Sequence, residues 1–181
     1  MLMVTLFDPL GVTRIIEQEK VSTHLGVPTM LVALIESLEQ QPRDVSSMEM
    51  VSSGGATVAP ELVRNIKKVF DCTYGTLYGQ TETSPVITQH HHDDSLEDIC
   101  NTFGQPLPHT HVSIRCVDEN LVVSLDTVGE ICVRAYCNMI EYHDNPSETA
   151  ETIDGEGWLH TGDIGEIDPK DGYLKITDRK K

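Results

Sequence analysis

The stretch from Met48 to Glu82, MEMVSSGGATVAPELVRNIKKVFDCTYGTLYGQTE, decides the fold. Residues 48–52 read as a strand, and the small residues Ser53-Gly54-Gly55-Ala56 form the loop that leaves it. Pro60 opens a helix at a position where its missing N–H costs nothing. Leu62, Val63, Ile66, Val69 and Phe70 then recur at helical spacing on one inward side. Residues 72–78 read as the next strand, which ends in Gly79-Gln80-Thr81-Glu82. Strand–helix–strand alternation implies a largely parallel sheet covered by helices. Ligands of such sheets bind beyond the carboxyl ends of the strands, where residues 53–56 and 79–82 both fall.

The pattern extends upstream. Residues 1–6 read as a buried strand, residues 11–20 as a short helix carrying Val12, Ile15 and Ile16, and residues 21–25 as a second strand. A longer helix starts at Pro28, with Val27, Met30, Leu31, Leu34, Ile35 and Leu38 at helical spacing. Downstream of Gln89 the character changes. His90-His91-His92-Asp93-Asp94 is a polar loop whose spacing matches no common zinc pattern. Short alternating strands follow, with Val112, Ile114 and Cys116 on one face of the first and Ile131, Val133 and Ala135 on one face of the second; residues 172–177 form a third. One helix interrupts them, capped by Asn145, with Pro146 first and Glu148 at the capping-box position. The expected fold is α/β: a parallel-sheet half-subdomain over residues 1–90, then a small β-rich, distorted-barrel subdomain over residues 91–177.

Thirteen Lys and Arg stand against 29 Asp and Glu, a formal net charge of -16. Nucleic-acid binding needs a basic footprint, so nucleic acid and anionic membrane are excluded as main partners. A phosphate-rich small ligand is not, because backbone N–H groups, hydroxyls and Mg2+ can hold phosphate. The five cysteines are odd in number and contain no C-x-x-C pair. That speaks against a disulfide framework or a zinc site and for free thiols in a reducing compartment. The apolar residues 1–7 lack a basic lead and run into Asp8-Pro9, unlike a signal peptide or a membrane span.

Four constellations could carry chemistry. In Tyr78-Gly79-Gln80-Thr81-Glu82, a tight turn presents a ring, a hydroxyl and a carboxylate, a set able to hold a base, a phosphate and a hard cation; an ordinary polar turn has the same composition. Ser52-Ser53-Gly54-Gly55-Ala56 lets backbone approach a ligand closely, or simply joins strand to helix. Asp163, after a glycine turn in Gly157-Trp158-Leu159-His160-Thr161-Gly162-Asp163, could accept hydrogen bonds from paired ribose hydroxyls, or only close a turn. Asp178-Arg179-Lys180-Lys181 is a basic end. His24 and His160 read as packed or solvated.

Taken in order, these strings resemble the adenylate-forming (AMP-binding) superfamily. They are Gly-Val-Pro-Thr-Met at 26–30, Ser-Gly-Gly-Ala at 53–56, Tyr-Gly-Gln-Thr-Glu at 78–82, Gly-Glu-Ile-Cys-Val-Arg at 129–134, Gly-Trp-Leu-His-Thr-Gly-Asp at 157–163 and Asp-Arg-Lys-Lys at 178–181. Pro85-Val86 and Pro108-His109-Thr110 look most like the medium-chain fatty acid–CoA ligase branch. The resemblance implies roles. Gly54, Gly55 and Ala56 would line the adenine and acyl pocket, Tyr78 would stack on adenine, and Gly79 and Gln80 would shape the same nucleotide loop. Thr81 would contact the α-phosphate and Glu82 would bind Mg2+, both as catalytic groups; Asp163 and Arg179 would hold the ribose. Lys181, within residues 178–181, would be the hinge to a mobile lid.

The implied reaction joins a carboxylic acid to coenzyme A at the expense of ATP, through an acyl-adenylate. The family's phosphate loop is expected upstream of Met1 and its lid lysine downstream of Lys181, so this stretch alone is expected not to turn over. Upstream strands beyond it would leave a sheet edge suited to pairing with another copy. The compartment implied is cytoplasmic, or mitochondrial with an upstream targeting segment. The alternatives are a non-catalytic nucleotide-binding or assembly module, an adenylation domain that loads a carrier protein, and a plain α/β scaffold with chance motifs.

Overall fold

The computed structural model describes residues 3–54 and 58–180. Contacts divide the chain into two units, Met1–Thr76 with His91–Cys100, and Leu77–His90 with Asn101–Lys181. The sequence reading places one boundary near residue 90, whereas the segment carrying the 78–82 motif belongs with the later residues. The reason is pairing: Leu77 and Tyr78 take antiparallel partners Gln89 and Thr88.

The first unit begins with α1, Pro9–Glu19. Its cap is Asp8, whose carboxylate accepts from the Gly11 N–H at 2.9 Å. β1 (Thr23–Leu25), α2 (Pro28–Gln40), β2 (Met50–Gly54), α3 (Pro60–Phe70) and β3 (Thr73–Tyr78) follow. All three helices start with proline at the first turn, as the sequence predicts for α2 and α3. β1 and β2 pair in parallel. Ile16, Leu31, Leu34, Val51, Val63 and Ile66 are at most 1% exposed and form the core between helices and strands. Burying each such side chain stabilises by about 2 kcal/mol relative to exposure. Residues 3–6 are not the expected buried strand. Met3 is 83% and Leu6 79% exposed; apolar composition alone cannot make a strand without a neighbour to pair with. A short helix that the sequence reading omits, α4 (Leu96–Asn101), follows the loop.

In the second unit the end of β3 leads into a 3-10 turn, Thr81–Thr83, and then into β4 (Thr88–Gln89) and β5 (Gln105–Pro106), both antiparallel. The sheet that runs β1-β2-β3-β4-β5 is therefore mixed. A second sheet is an antiparallel meander of β6 (Thr110–Arg115), β7 (Gly129–Ala135), β8 (Leu159–Ile167) and β9 (Leu174–Arg179). Between β7 and β8 lies α5 (Pro146–Thr152), capped by Asn145, whose side chain accepts from the Glu148 N–H at 3.3 Å. The meander has two different faces. Ile114, Ile131, Val133 and Leu174 pack with Tyr78 and Ile87 in a second core. Arg115, Glu130 and Cys132 alternate with them onto the other face. β8 is missed by alternation because Thr161-Gly162-Asp163 interrupts its apolar period. His90, expected in a solvated loop, is 3% exposed and bonds Thr102 Oγ1 at 2.9 Å; His91 and His92 are exposed.

Candidate nucleotide site in the second unit

Tyr78, the last residue of β3, is 8% exposed and meets Phe103 edge to face, centroids 5.9 Å apart. Its hydroxyl donates to Asp163 Oδ2 at 2.8 Å. Burial pushes the Tyr78 phenol far above its ordinary range, and the Asp163 charge adds to this, so the hydroxyl stays a donor at neutral pH. Gly79 is required sterically, because a Cβ there would run into the carbonyl of Pro85. The turn beyond is fixed by Thr83, whose hydroxyl donates to the Gln80 carbonyl at 2.9 Å and accepts from the Gln80 N–H at 3.2 Å. Ser84, at φ 54°, and a cis Ser84–Pro85 bond close it. Thr81 is exposed and Glu82 half-buried.

Glu82 is held at both ends. Its carbonyl accepts the Met139 N–H at 2.7 Å, and its Oε1 accepts the Tyr142 hydroxyl at 2.9 Å. Burial and then the Glu82 carboxylate push the Tyr142 phenol up. Tyr142 is the site residue that sequence reasoning misses, because an aromatic in the polar run Glu141-Tyr142-His143-Asp144 carries no distinguishing pattern.

Asp163 is presented by a β-bulge. Cys132 faces His160 across β7 and β8, and Glu130 faces Ile164, so Thr161, Gly162 and Asp163 together oppose the single residue Ile131. Gly162 takes φ 74°, the left-handed region glycine enters freely. Thr161 Oγ1 donates to the Ile131 carbonyl at 2.8 Å and accepts the Asp163 N–H at 3.1 Å. Bulges re-aim a side chain without ending the sheet, and here the Thr-Gly-Asp string is the bulge. On the other side Asp163 pairs with Arg179 of β9, Nε to Oδ1 3.7 Å, and Lys180 N–H donates to the Gly162 carbonyl at 2.6 Å. Tyr78, Asp163 and Arg179 are thus brought together, while Gln80, Thr81 and Glu82 share one turn. Gly54 ends β2 in the first unit. Gly55, Ala56 and Lys181 lie outside the described residues.

A profile of the AMP-binding enzyme family matches residues 2–143. The chain belongs to the AMP-binding enzymes. It is 34% identical to a mitochondrial medium-chain acyl-CoA ligase of Macaca fascicularis over 92% of this chain and 27% of the relative. It is 35% identical to a medium/long-chain-fatty-acid–CoA ligase of Mycobacterium tuberculosis over 100% of this chain and 31% of that one. Among solved structures it resembles the amide bond synthetase of Marinactinospora thermotolerans, with TM-score 0.87 and 34% identity over 97% of this chain and 35% of the other. It also resembles a long-chain-fatty-acid-CoA ligase of Archaeoglobus fulgidus, with TM-score 0.85 and 25% identity over 97% of this chain and 38% of that one. The chain therefore spans about a third of these AMP-binding relatives. No helix among the described residues is long and apolar enough to cross a membrane.

Proposed function

We propose that the chain is the adenosine- and magnesium-facing part of an ATP-dependent acyl-CoA ligase. The observation that carries this is Asp163: a half-buried carboxylate, raised on a bulge, with a neutral phenol donating to one oxygen and a guanidinium beside the other. Such a carboxylate is an acceptor ready for the two hydroxyls of a ribose. Tyr78 lines the adenine end and positions Asp163, and Arg179 flanks the ribose. Gly79 and Gln80 shape the loop. Thr81 offers its exposed hydroxyl to the α-phosphate. Tyr142 donates to Oε1 of Glu82, and the Glu82 carboxylate would hold a Mg2+. The residues present fit the ion, a hard cation that prefers oxygen donors; when bound, it supplies charge neutralisation for phosphate chemistry.

In the complete protein the acid's carboxylate attacks the α-phosphorus of ATP. The bond to pyrophosphate breaks and an acyl-adenylate forms. The thiol of CoA then attacks the acyl carbonyl, AMP leaves, and the thiol proton passes to solvent. By the resemblance, Lys181 would serve as a hinge residue. The five unpaired cysteines fit a reducing compartment, cytoplasmic or mitochondrial. β1, three residues at the edge of its sheet, suits pairing with a second copy.

The test is acid-dependent ATP–pyrophosphate exchange by the complete protein, followed by thioester formation with CoA. Exchange with medium-chain acids and loss in Asp163→Ala are expected. ATP binding without exchange for any acid would make the protein a non-catalytic nucleotide module. Transfer only to a carrier-bound thiol or an amine would replace CoA as acceptor. This chain by itself is expected to bind ATP weakly and to release no pyrophosphate.

A further inference from the structure

On the polar face of the meander, away from the second core, three different donors converge. Cys132 and His160 are directly paired across β7 and β8, and Glu130 precedes Cys132 by two residues on the same face. Glu130 Oε2 lies 2.9 Å and Cys132 Sγ 3.4 Å from the same nitrogen, Nδ1 of His160. All three ligand atoms lie within 4.8 Å of one another. Glu130 is 4% and Cys132 0% exposed. The other ring nitrogen, Nε2, faces Asp154 Oδ2 at 3.6 Å. None of these groups belongs to the proposed nucleotide site.

We propose that Glu130, Cys132 and His160 form a zinc site, with Asp154 orienting His160 from behind. Thiolate, imidazole and carboxylate together are a zinc donor set, and three protein ligands leave a fourth position for water. Bond lengths of about 2.0–2.3 Å put the donors of a tetrahedral site about 3.3–3.6 Å apart. The Cys132–His160 separation already fits, and the Glu130–His160 separation needs to open by roughly 0.4 Å. A ligating histidine characteristically gives its far N–H to a carboxylate, which fixes the tautomer. Asp154 Oδ2, 3.6 Å from Nε2, would take that N–H after a small approach, which leaves Nδ1 to the metal. Asp154 is itself held by the N–H groups of Glu156 and Trp158 at 2.9 Å each.

Binding breaks the Cys132 S–H bond, passes the proton to buffer and forms the S–Zn bond. Burial, with Glu130 adding to it, pushes this thiol up to about 12, so without a cation it stays neutral. The positive groups around the cluster are Lys180, 3.6 Å from Glu130 Oε2, and Arg115, which is engaged by Asp154 and Glu156. Lys180 is 45% exposed and can swing into solvent. The absence of a C-x-x-C spacing argues against a zinc site only for ligands adjacent in sequence. These residues are joined by strand pairing, which linear spacing does not reveal.

The experiment uses the full chain, stripped with chelator and titrated with Zn2+ and, separately, Co2+. Expected are one tightly held zinc per chain and a thiolate-to-cobalt charge-transfer band. Cys132→Ala and His160→Gln should each weaken zinc binding at least ~10-fold, the scale seen when a ligand or its outer partner is lost. The exposed group His91, His92 and Asp93 could also collect metal, so the His91→Gln, His92→Gln double variant serves as control and should retain the zinc. No zinc held by the wild-type chain, zinc held equally by Cys132→Ala, or zinc lost in the double variant would each overturn the proposal and leave a buried imidazole–carboxylate pair. If the Cys132 variant does not fold, the cobalt spectrum of the wild-type chain decides: a thiolate band supports the site and its absence overturns it.

Discussion

Tyr78→Phe isolates one oxygen atom at the centre of the proposed nucleotide site. The ring keeps its place against Phe103, and only the donor to Asp163 Oδ2 at 2.8 Å is lost. A hydrogen bond to a charged group contributes about 1.5–3 kcal/mol. Asp163 is 17% exposed and keeps its Arg179 neighbour, so the lower end applies, about 1.5 kcal/mol, or roughly tenfold in the folded-to-unfolded ratio. The chain supplies its own reporter. Trp158 is the single tryptophan and lies between the Arg115 and Arg134 guanidinium groups, 4.7 and 4.8 Å from its ring. Urea unfolding followed at Trp158 therefore reads the second unit. The midpoint should fall in Tyr78→Phe with the slope unchanged, and most of the loss should vanish in an Asp163→Ala background. The pH dependence has a definite sign. The folded phenol titrates above its unfolded value, so its contribution is complete below about pH 10 and declines as pH rises past it. Tyr78→Phe should flatten that alkaline decline. Coincident wild-type and variant midpoints at neutral pH would refute the reasoning.

Other perturbations follow from the same contacts. Gly79→Ala forces its Cβ against the Pro85 carbonyl; a loss of about 2–3 kcal/mol by overpacking is expected in the same unfolding assay, together with weaker ATP binding. Tyr142→Phe frees Glu82 Oε1, and in the complete protein it should raise the Mg2+ concentration needed for half-maximal pyrophosphate exchange several-fold with little change in stability. Arg115→Met removes a guanidinium whose side chain is 7% exposed and leaves Asp154 and Glu156 without it; a loss of about 2 kcal/mol is expected, below that for a fully buried pair because Glu156 is exposed. Burial raises the Asp154 carboxyl, but the N–H groups of Trp158 and Glu156, then Asn120 and Arg115, outweigh it and hold the carboxyl low. Its contribution is thus present above the unfolded value of about 3.9 and lost as pH falls through the lower folded one. Asp154→Asn should flatten that acid limb in a melting-temperature series.

Helical periodicity and first-turn prolines were enough to place α2 and α3, because burial of one helix face is a local property of the sequence. β6 and β7 were legible for the related reason that alternate residues enter one core. What escaped depends on partners distant in sequence. Residues 3–6 are apolar yet unpaired, and β8 hides behind its own bulge. The roles proposed for Tyr78 and Asp163 come from the resemblance, but their mutual hydrogen bond spans 85 positions and has no local sign. The same holds for Tyr142 on Glu82, 60 positions apart. The convergence of Glu130, Cys132 and His160 likewise exists only once β7 and β8 are aligned.

The irregularity between β8 and β9 also sets a phase. Ile167 to Gly165 pair with Leu174 to Ile176 in one register, while Ile164 and Asp163 pair with Asp178 and Arg179 in the next, so Thr177 is the surplus residue. Carried through with Thr177 paired rather than bulged out, the first register would set Asp163 opposite Asp178, carboxylate against carboxylate. One threonine, its hydroxyl donating to the Ile164 carbonyl at 3.3 Å, thus decides the sign of the charge that meets Asp163. This makes the segment more sensitive to length than to composition. Swapping Thr177 for another exposed residue leaves the pairing intact, whereas inserting one residue on either side exchanges attraction for repulsion. Deleting Thr177 outright is the informative exception: it removes the surplus and brings Arg179 back opposite Asp163 in a regular ladder.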